Sequence, residues 1–425
     1  MLSQIKADRD SNRIWLCFCL SVLFFPLFPA LGALGLIIVL VLVWRNNQRQ
    51  IIPSPLNRGF GLLTGLLVIS SALAEYPPEA WLGLANFLPF FALFIALRYL
   101  IINPLQLKQL SWLMILPSLP IVVLGLGQIY LAWDTTELVE SVVGWGITPG
   151  GVPPGRMSSV FIYANFLALY LAIAFSLTIG LWWSTWQQKS HQLKPQILFL
   201  LTLILLTDII GLILTSSRNA WGIAIFSLMA YAVYLGWYWL VWGAMGAATV
   251  TLWASFAPQL GGTYLRQIVP TFIWGRLADQ SYDRPVETLR ITHWQFCWDL
   301  IKQRPGFGWG LRNFTPLYDA QTGHWFGHPH NLYLMFGAEA GMIALLLFLV
   351  IVALIMFQAV KRLQNWSNQE SKPIFFSYLV AFTCCILFNL ADVTIFDLRV
   401  NAISWILLAA IAGVSGSKLR QTKIN

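Results

Sequence analysis

Apolar residues arrive in long unbroken runs, and polar residues collect in the short gaps between them. Twelve such runs approach the ~20 residues a helix needs to cross a bilayer. They lie near 14–29, 31–44, 57–74, 79–102, 105–131, 158–185, 196–214, 219–236, 238–257, 331–358, 373–391 and 396–414. The first two share Pro26 and Pro29 at their junction, so they read as two helices or as one long kinked one, giving twelve or eleven in all. The fourth and fifth part at Asn103–Pro104, where proline stops a helix. The first run has no small-residue cleavage site and reads as a retained anchor. The pattern predicts an all-α polytopic membrane protein of about 12 transmembrane helices with one long, partly helical outer loop. It divides into helices one to nine over 1–257, a loop domain over 258–330, and helices ten to twelve with a cytoplasmic tail over 331–425.

Composition fits that reading. The chain has 425 residues, 58% hydrophobic and only 10% charged, with a mean hydropathy of +0.68. A soluble domain carries roughly a quarter charged residues. The net charge of +9 does not point to nucleic acid, because the basic residues sit at the ends of apolar runs. The five cysteines have no metal-ligand spacing and outline no disulfide framework.

Charge sets the orientation. With the N-terminus in the cytoplasm, 16 of the 26 basic residues fall inside, and seven of the ten outside lie in the loop 258–330. Long loops are exempt from the positive-inside bias. Both termini are then cytoplasmic and the long loop periplasmic, in an inner membrane. The inside residues are eight lysines and eight arginines, among them Lys189 and Lys423; the outside ones are nine arginines, Arg284 among them, and Lys302. Arginine's planar fork binds phosphate oxygens bidentately. An arginine-dominated face suggests a bound anion; the plainer reading is that arginine is common in loops.

The loop is about 70 residues, far beyond a usual connection. It is rich in aromatic residues, which serve as an interfacial belt or stack on sugar rings. In residues 286–303, Leu289, Trp294, Cys297, Trp298 and Ile301 recur at helical spacing. A glycine-rich break, Arg304–Gly310, follows, and four of the five histidines, His293, His324, His328 and His330, fall in the loop.

Three pieces together resemble a known family. The first is Arg290, Trp294, Trp298, Arg304-Pro305-Gly306-x-Gly308-x-Gly310, His328-Pro329-His330-Asn331, Glu339-x-Gly341; the second is Thr215-Ser216-Ser217-Arg218-Asn219-Ala220; the third is Gly155-Arg156 with Phe161, Tyr163 and Asn165. The combination resembles the O-antigen ligase/polymerase superfamily, some cyanobacterial-type members of which are labelled bicarbonate transporters. Ala344, Gly222 and Ala164 stand at packing positions where the family usually has glycine, leucine and proline.

The resemblance implies a glycosyltransferase that moves a glycan from a polyprenyl-diphosphate carrier to an acceptor hydroxyl on a glycan or lipid, among membrane lipids and with no metal or other cofactor. It gives His330 the role of catalytic base and Arg218 and Arg290 that of holding the diphosphate. Arg156, Arg312, His328, Asn331 and Glu339 are supporting candidates. The chemistry is reasonable for these residue types. The leaving diphosphate gains charge that fixed cations in a dry site stabilise. A neutral imidazole, with a usual pKa of ~6.5, suits the proton of the attacking hydroxyl.

Plainer roles stand beside these. His330 could cap a helix, Arg218 could snorkel at the interface and Arg290 could be a solvated charge. A zinc site of His324, His328 and His330 lacks an evident fourth ligand apart from Asp319. Gly337 and Gly341 lie within ~20° of His330 on a helical wheel, a small-residue stripe for a packed helix, while Glu339 projects elsewhere. Asp208, inside the seventh run and about ten residues before Arg218, is an intramembrane acid with either a functional or a structural reading. The competing function is a transporter of a small anion such as bicarbonate, which would call for paired acids or broken helices at mid-membrane.

Overall fold

The computed structural model describes residues 2–188, 192–278 and 285–421. Lys189, Arg284 and Lys423 of the charge analysis lie outside the described residues. Among these residues the chain is mostly helical and has no strand, and its one β-bridge joins Gly151 and Arg156. The helices are α1 (Leu2–Phe24), α2 (Pro29–Ile51), α3 (Pro55–Ala72), α4 (Pro77–Gly83), α5 (Leu88–Leu100), α6 (Pro104–Ile115), α7 (Ser118–Tyr130), α8 (Glu137–Val143), α9 (Ala164–Gln187), α10 (Lys194–Leu214), α11 (Arg218–Tyr234), α12 (Tyr238–Phe256), α13 (Gly262–Leu265), α14 (Thr271–Leu277), α15 (Arg290–Gln303), α16 (Phe314–Thr322), α17 (Leu332–Ala340), α18 (Met342–Gln364), α19 (Lys372–Phe388) and α20 (Leu398–Gln421).

Each of the twelve apolar runs falls on helix. Among the described residues, eight helical stretches are long and apolar enough to cross a membrane, and Asn12–Phe24 and Lys372–Phe388 are shorter apolar helices. The protein is an all-α polytopic membrane protein. Prolines open α2, α3, α4 and α6, where the missing N–H costs nothing and the fixed φ suits a first turn. Asn103 and Gln106 form a capping box at the start of α6. The Pro26–Pro29 junction is a hairpin: a Cβ on Gly35 would strike the Ser21 hydroxyl, so α1 folds back tightly on α2. The two runs are therefore two helices.

The chain forms two compact units, residues 1–224 with 294–425, and residues 225–293. In the first unit α9 is central, with 94% of its span buried, and the α20 span follows with 83%; α2, α10 and α18 bury only 22%, 28% and 33% of theirs. Small residues bring the central helices together. Gly180 of α9 has no room for a Cβ against Ser377 of α19. The second unit holds most of α11, then α12, α13, α14 and the first turn of α15. In it Arg266 stacks on Trp274 at 4.1 Å and donates to the Ala254 carbonyl at 2.8 Å.

The later part of the long loop is folded onto the first unit. Cys297, Leu300 and Ile301 of α15, Phe314 and Tyr318 of α16 and Ala338 of α17 form one buried cluster. The helical spacing read over 286–303 is seen in α15, although Trp298 faces outward, 52% exposed. The run 331–358 is two helices, α17 and α18, broken at Gly341, where φ is +85°. A Cβ there would strike the Gly306 carbonyl. The small-residue stripe read across one continuous helix is thus a break over which the loop closes: Met342 N–H donates to the Pro305 carbonyl at 2.8 Å, and Gly310 N–H to that of Glu339 at 2.8 Å.

Candidate functional site

His330 stands just outside α17, with a left-handed backbone at φ +55°. Non-glycine residues hold that conformation only when their surroundings enforce it. Three contacts do so. Asn331 caps α17, its Oδ1 accepting from the Tyr333 and Leu334 N–H groups at 3.0 Å each. Leu332 N–H donates to the Asn389 carbonyl at 2.9 Å, fixing the helix start to the end of α19. The Trp294 indole donates to the Pro329 carbonyl at 3.0 Å, so α15 pins the His328–His330 turn from the other side.

The turn between α19 and α20 carries Asp392, whose side chain is only 2% exposed. Its Oδ1 lies 3.3 Å from His330 Nδ1 and 3.9 Å from His328 Nε2. Val393 N–H donates to the same oxygen at 2.9 Å. The two imidazoles meet edge to face with centroids 4.5 Å apart, and His330 N–H donates to His328 Nδ1 at 3.2 Å. Burial by itself would raise the Asp392 pKa. The hydrogen bond from His330, the charges of both imidazoles and the Val393 N–H outweigh it and hold the carboxyl down to about 2. A buried carboxylate at His330 Nδ1 favours the tautomer with its proton on Nδ1 and its lone pair on Nε2.

The other carboxylate oxygen, Oδ2, accepts from the Asn165 side chain, whose Oδ1 accepts from Arg156. Arg156 Nε donates to the Thr215 carbonyl at 2.8 Å, and its guanidinium lies 5.8 Å from the Tyr163 ring centre. Asn219 Nδ2 donates to the Phe388 carbonyl at 2.8 Å. One continuous hydrogen-bonded path therefore runs from the Thr215–Ser217 turn through Arg156, Asn165 and Asp392 to His330. Ser216 in that turn is also left-handed, at φ +49°. Arg218 opens α11 directly after it and is exposed.

Of the residues singled out from the sequence, the structure thus brings together Arg156, His328, His330 and Asn331, with Arg218 next to Asn219 at the end of α19. Arg312 and Glu339 have partners of their own. Arg312 is paired with Glu79 at 3.1 Å and has φ +58°. Glu339 is buried and accepts from the Phe314 N–H at 3.1 Å, tying α16 to α17. Arg290 is exposed at the start of α15, in the second unit. His293 bonds the Glu287 carbonyl at 3.0 Å, and the exposed His324 ring bonds the Thr322 carbonyl at 2.9 Å. The donor atoms of His328, His330 and Asp392 lie within 4.8 Å of one another, a spacing able to chelate a cation. The carboxylate of this group is Asp392, where the sequence had offered Asp319.

Two members of the path were missed by sequence reading. Asp392 falls in a short gap between apolar runs, where a lone acid is the same signal that Asp208 gives inside one. Asn165 was quoted only as part of a motif.

These features define a polytopic all-α membrane protein with a buried polar centre at one end of its bundle. Residues 200–349 match the family model described as O-antigen ligase, and through that stretch the chain is similar to the O-antigen ligase/polymerase superfamily. The matched stretch includes Arg218, Arg290 and His330. The family implies a ligase-type enzyme acting in the membrane on lipid-linked glycans. A comparison of the chain with curated proteins gives no match.

Proposed function

We propose that the protein is a glycosyltransferase of the O-antigen ligase or polymerase type, moving a glycan from a polyprenyl-diphosphate carrier to an acceptor hydroxyl on the periplasmic face of the inner membrane. The observation that carries this reading is the His330–Asp392 pair, 3.3 Å apart, with its aspartate buried. His330 Nε2 takes the proton of the acceptor hydroxyl as the hydroxyl oxygen attacks the sugar's anomeric carbon. The bond from that carbon to the diphosphate oxygen breaks, and the diphosphate leaves with the electron pair. Asp392 steadies the imidazolium that forms, as a buried carboxylate does for any histidine base. Arg218 holds the diphosphate as its charge grows, and Arg290 is the second candidate for that role. Arg156 reaches both Asn165 and Thr215 and acts as a positioning residue between the base and the turn before Arg218.

The transporter reading has less to draw on. It leaves the path from Arg156 to His330 without a task, and the ligase match gives it no support. The test is purified protein in proteoliposomes, a lipid-diphosphate-linked oligosaccharide and a hydroxyl acceptor. His330→Ala should lower transfer by about 10²–10⁴-fold, the usual contribution of a general base. Undiminished transfer by a folded His330→Ala protein would remove the assignment.

A further inference from the structure

A crevice of about 340 Å³ lies between α2, α3 and α5 in the first unit. The last residues of α3 reach the long loop, where Glu75 N–H donates to the Trp309 carbonyl at 3.2 Å. The start of α3, where the crevice begins, is therefore at the other end of the bundle. Apolar side chains make most of the wall, among them Trp44, Phe60, Phe91 and Ile95. Two of its polar side chains are already committed within the protein. The Trp44 indole donates to the Ala92 carbonyl at 3.3 Å. Asn57 Nδ2 donates to the Ile51 carbonyl at 2.8 Å, and its Oδ1 accepts from Arg98 at 2.9 Å. Arg58 differs. It lines the crevice, is exposed, and among the described residues has no hydrogen bond or ion pair.

Charge and depth both bear on what fits there. From Trp44 to Arg58 the chain carries Arg45, Arg49 and Arg58 and no acidic residue. From Arg58 the wall follows α3 inward to Thr64, about 9 Å along the helix, a third of the hydrocarbon core. Gly61 leaves the crevice open, since a Cβ there would meet nothing within 4 Å. The positive-inside bias accounts for arginines at this end but asks for no slot beside them. A slot alone would admit any lipid tail. The two together suit an amphiphile with an anionic head and an acyl chain, the kind of ligand that basic crevices between membrane helices take. A soluble anion has no use for the apolar slot. A zwitterionic lipid brings its own cation next to the arginines.

We infer that α2, α3 and α5 hold an anionic phospholipid from the leaflet opposite the long loop, with its phosphate against Arg58 and the upper part of an acyl chain in the slot beside Gly61. This site is separate from the His330–Asp392 centre and does not depend on the transfer reading.

The experiment titrates full-length, delipidated protein in detergent with phosphatidylglycerol or phosphatidylcholine and follows bound lipid by native mass spectrometry. The wild type should bind phosphatidylglycerol with a Kd about tenfold lower than phosphatidylcholine. Arg58→Gln should erase most of that preference. Arg49→Gln, at the same end but outside the crevice, should keep it. Gly61→Phe, whose ring has open space to enter, should weaken binding of both lipids, and Leu62→Phe, at the exposed neighbouring position, should leave both unchanged. Inorganic phosphate at matched concentration should not displace the lipid. Equal affinity for the two lipids in the wild type, or a preference lowered alike by Arg58→Gln and Arg49→Gln, would reduce these arginines to topology signals and overturn the inference. Displacement by inorganic phosphate would leave a plain anion site and overturn it too. A second arm fixes the place: in proteoliposomes, phosphatidylglycerol with a photoreactive acyl chain should label peptides of α2, α3 and α5, less so in Gly61→Phe. Labelling confined to other helices would overturn the site.

Discussion

Asp392 decides how His330 behaves. A carboxylate that is 2% exposed accepts a hydrogen bond from that ring, from Val393 and from Asn165, so each of its oxygens is engaged. Asp392→Asn keeps the shape and loses the charge, and its amide can present an N–H where His330 Nδ1 needs an acceptor. Transfer by Asp392→Asn should fall about 10²–10⁴-fold, as when the orienting carboxylate of a catalytic histidine is neutralised, with KM for the donor little changed. A large KM effect with unchanged kcat would instead make Asp392 a substrate ligand. The same variant tests the pH dependence. The folded pKa of about 2 lies below the usual carboxylate value, so the stabilisation is complete above about pH 4 and is lost as pH falls through about 2. The difference in thermal stability between wild type and Asp392→Asn should therefore shrink as pH falls from 4 to 2. His330 was legible in the sequence because its neighbours Pro329 and Asn331 form a local motif. Asp392 was not, because its partners are 62 and 227 residues distant in the chain and nothing local announces them.

At the scale of elements, one glycine organises the approach to the centre. Gly341 separates α17 from α18 with φ +85°, and its lack of a side chain admits the Gly306 carbonyl. Gly308, at φ +69°, likewise has no room for a Cβ beside the Glu339 carbonyl. The loop 304–313 thus lies directly on the break and carries α15 and α16 into contact with α17, and Trp294 of α15 in turn holds Pro329. Gly341→Ala should cost about 3 kcal/mol or more, from backbone strain together with the clash. Its first effect should be on the loop. Hydrogen exchange at Trp309, Gly310 and Met342, whose N–H groups bond across the break or at it, should quicken before exchange in α9 does. Equal protection of those amides in wild type and variant would show the break to be tolerant. Hydropathy alone could not find this feature. Both halves of 331–358 are apolar, so the run reads as a single span, and the glycine pair reads as a packing stripe as easily as a stop. The α1–α2 junction is a similar case, since Pro26 and Pro29 suit a kink as well as a turn, and only the packing of Gly35 against Ser21 shows the turn.

For the molecule as a whole, the open matter is which side of the membrane the centre faces, and the charge pattern gives a definite expectation. The short connections at the end opposite His330 carry the lysines, and the His330 end carries almost only arginines, several of them engaged with neutral or acidic groups: Arg156 with Asn165 and Thr215, Arg312 with Glu79, and Arg399 with Asp397 and the Val160 carbonyl. Those guanidinium groups belong to the fold and are no obstacle to translocation when embedded in it, whereas lysine-bearing ends are retained in the cytoplasm. Trp325, 72% exposed in the loop, and Asn365, exposed at the far end of α18, should therefore lie on opposite sides. Of the five native cysteines, Cys297, Cys384 and Cys385 are buried, and Cys17 and Cys19 lie in an apolar helix. Single cysteines introduced at the two positions can thus be read against a low background. In intact cells a membrane-impermeant maleimide should label Trp325→Cys at once and Asn365→Cys only after permeabilisation. The reverse pattern would put His330 in the cytoplasm, away from any acceptor on the periplasmic face, and the proposed reaction would then need its donor and acceptor on the inner leaflet.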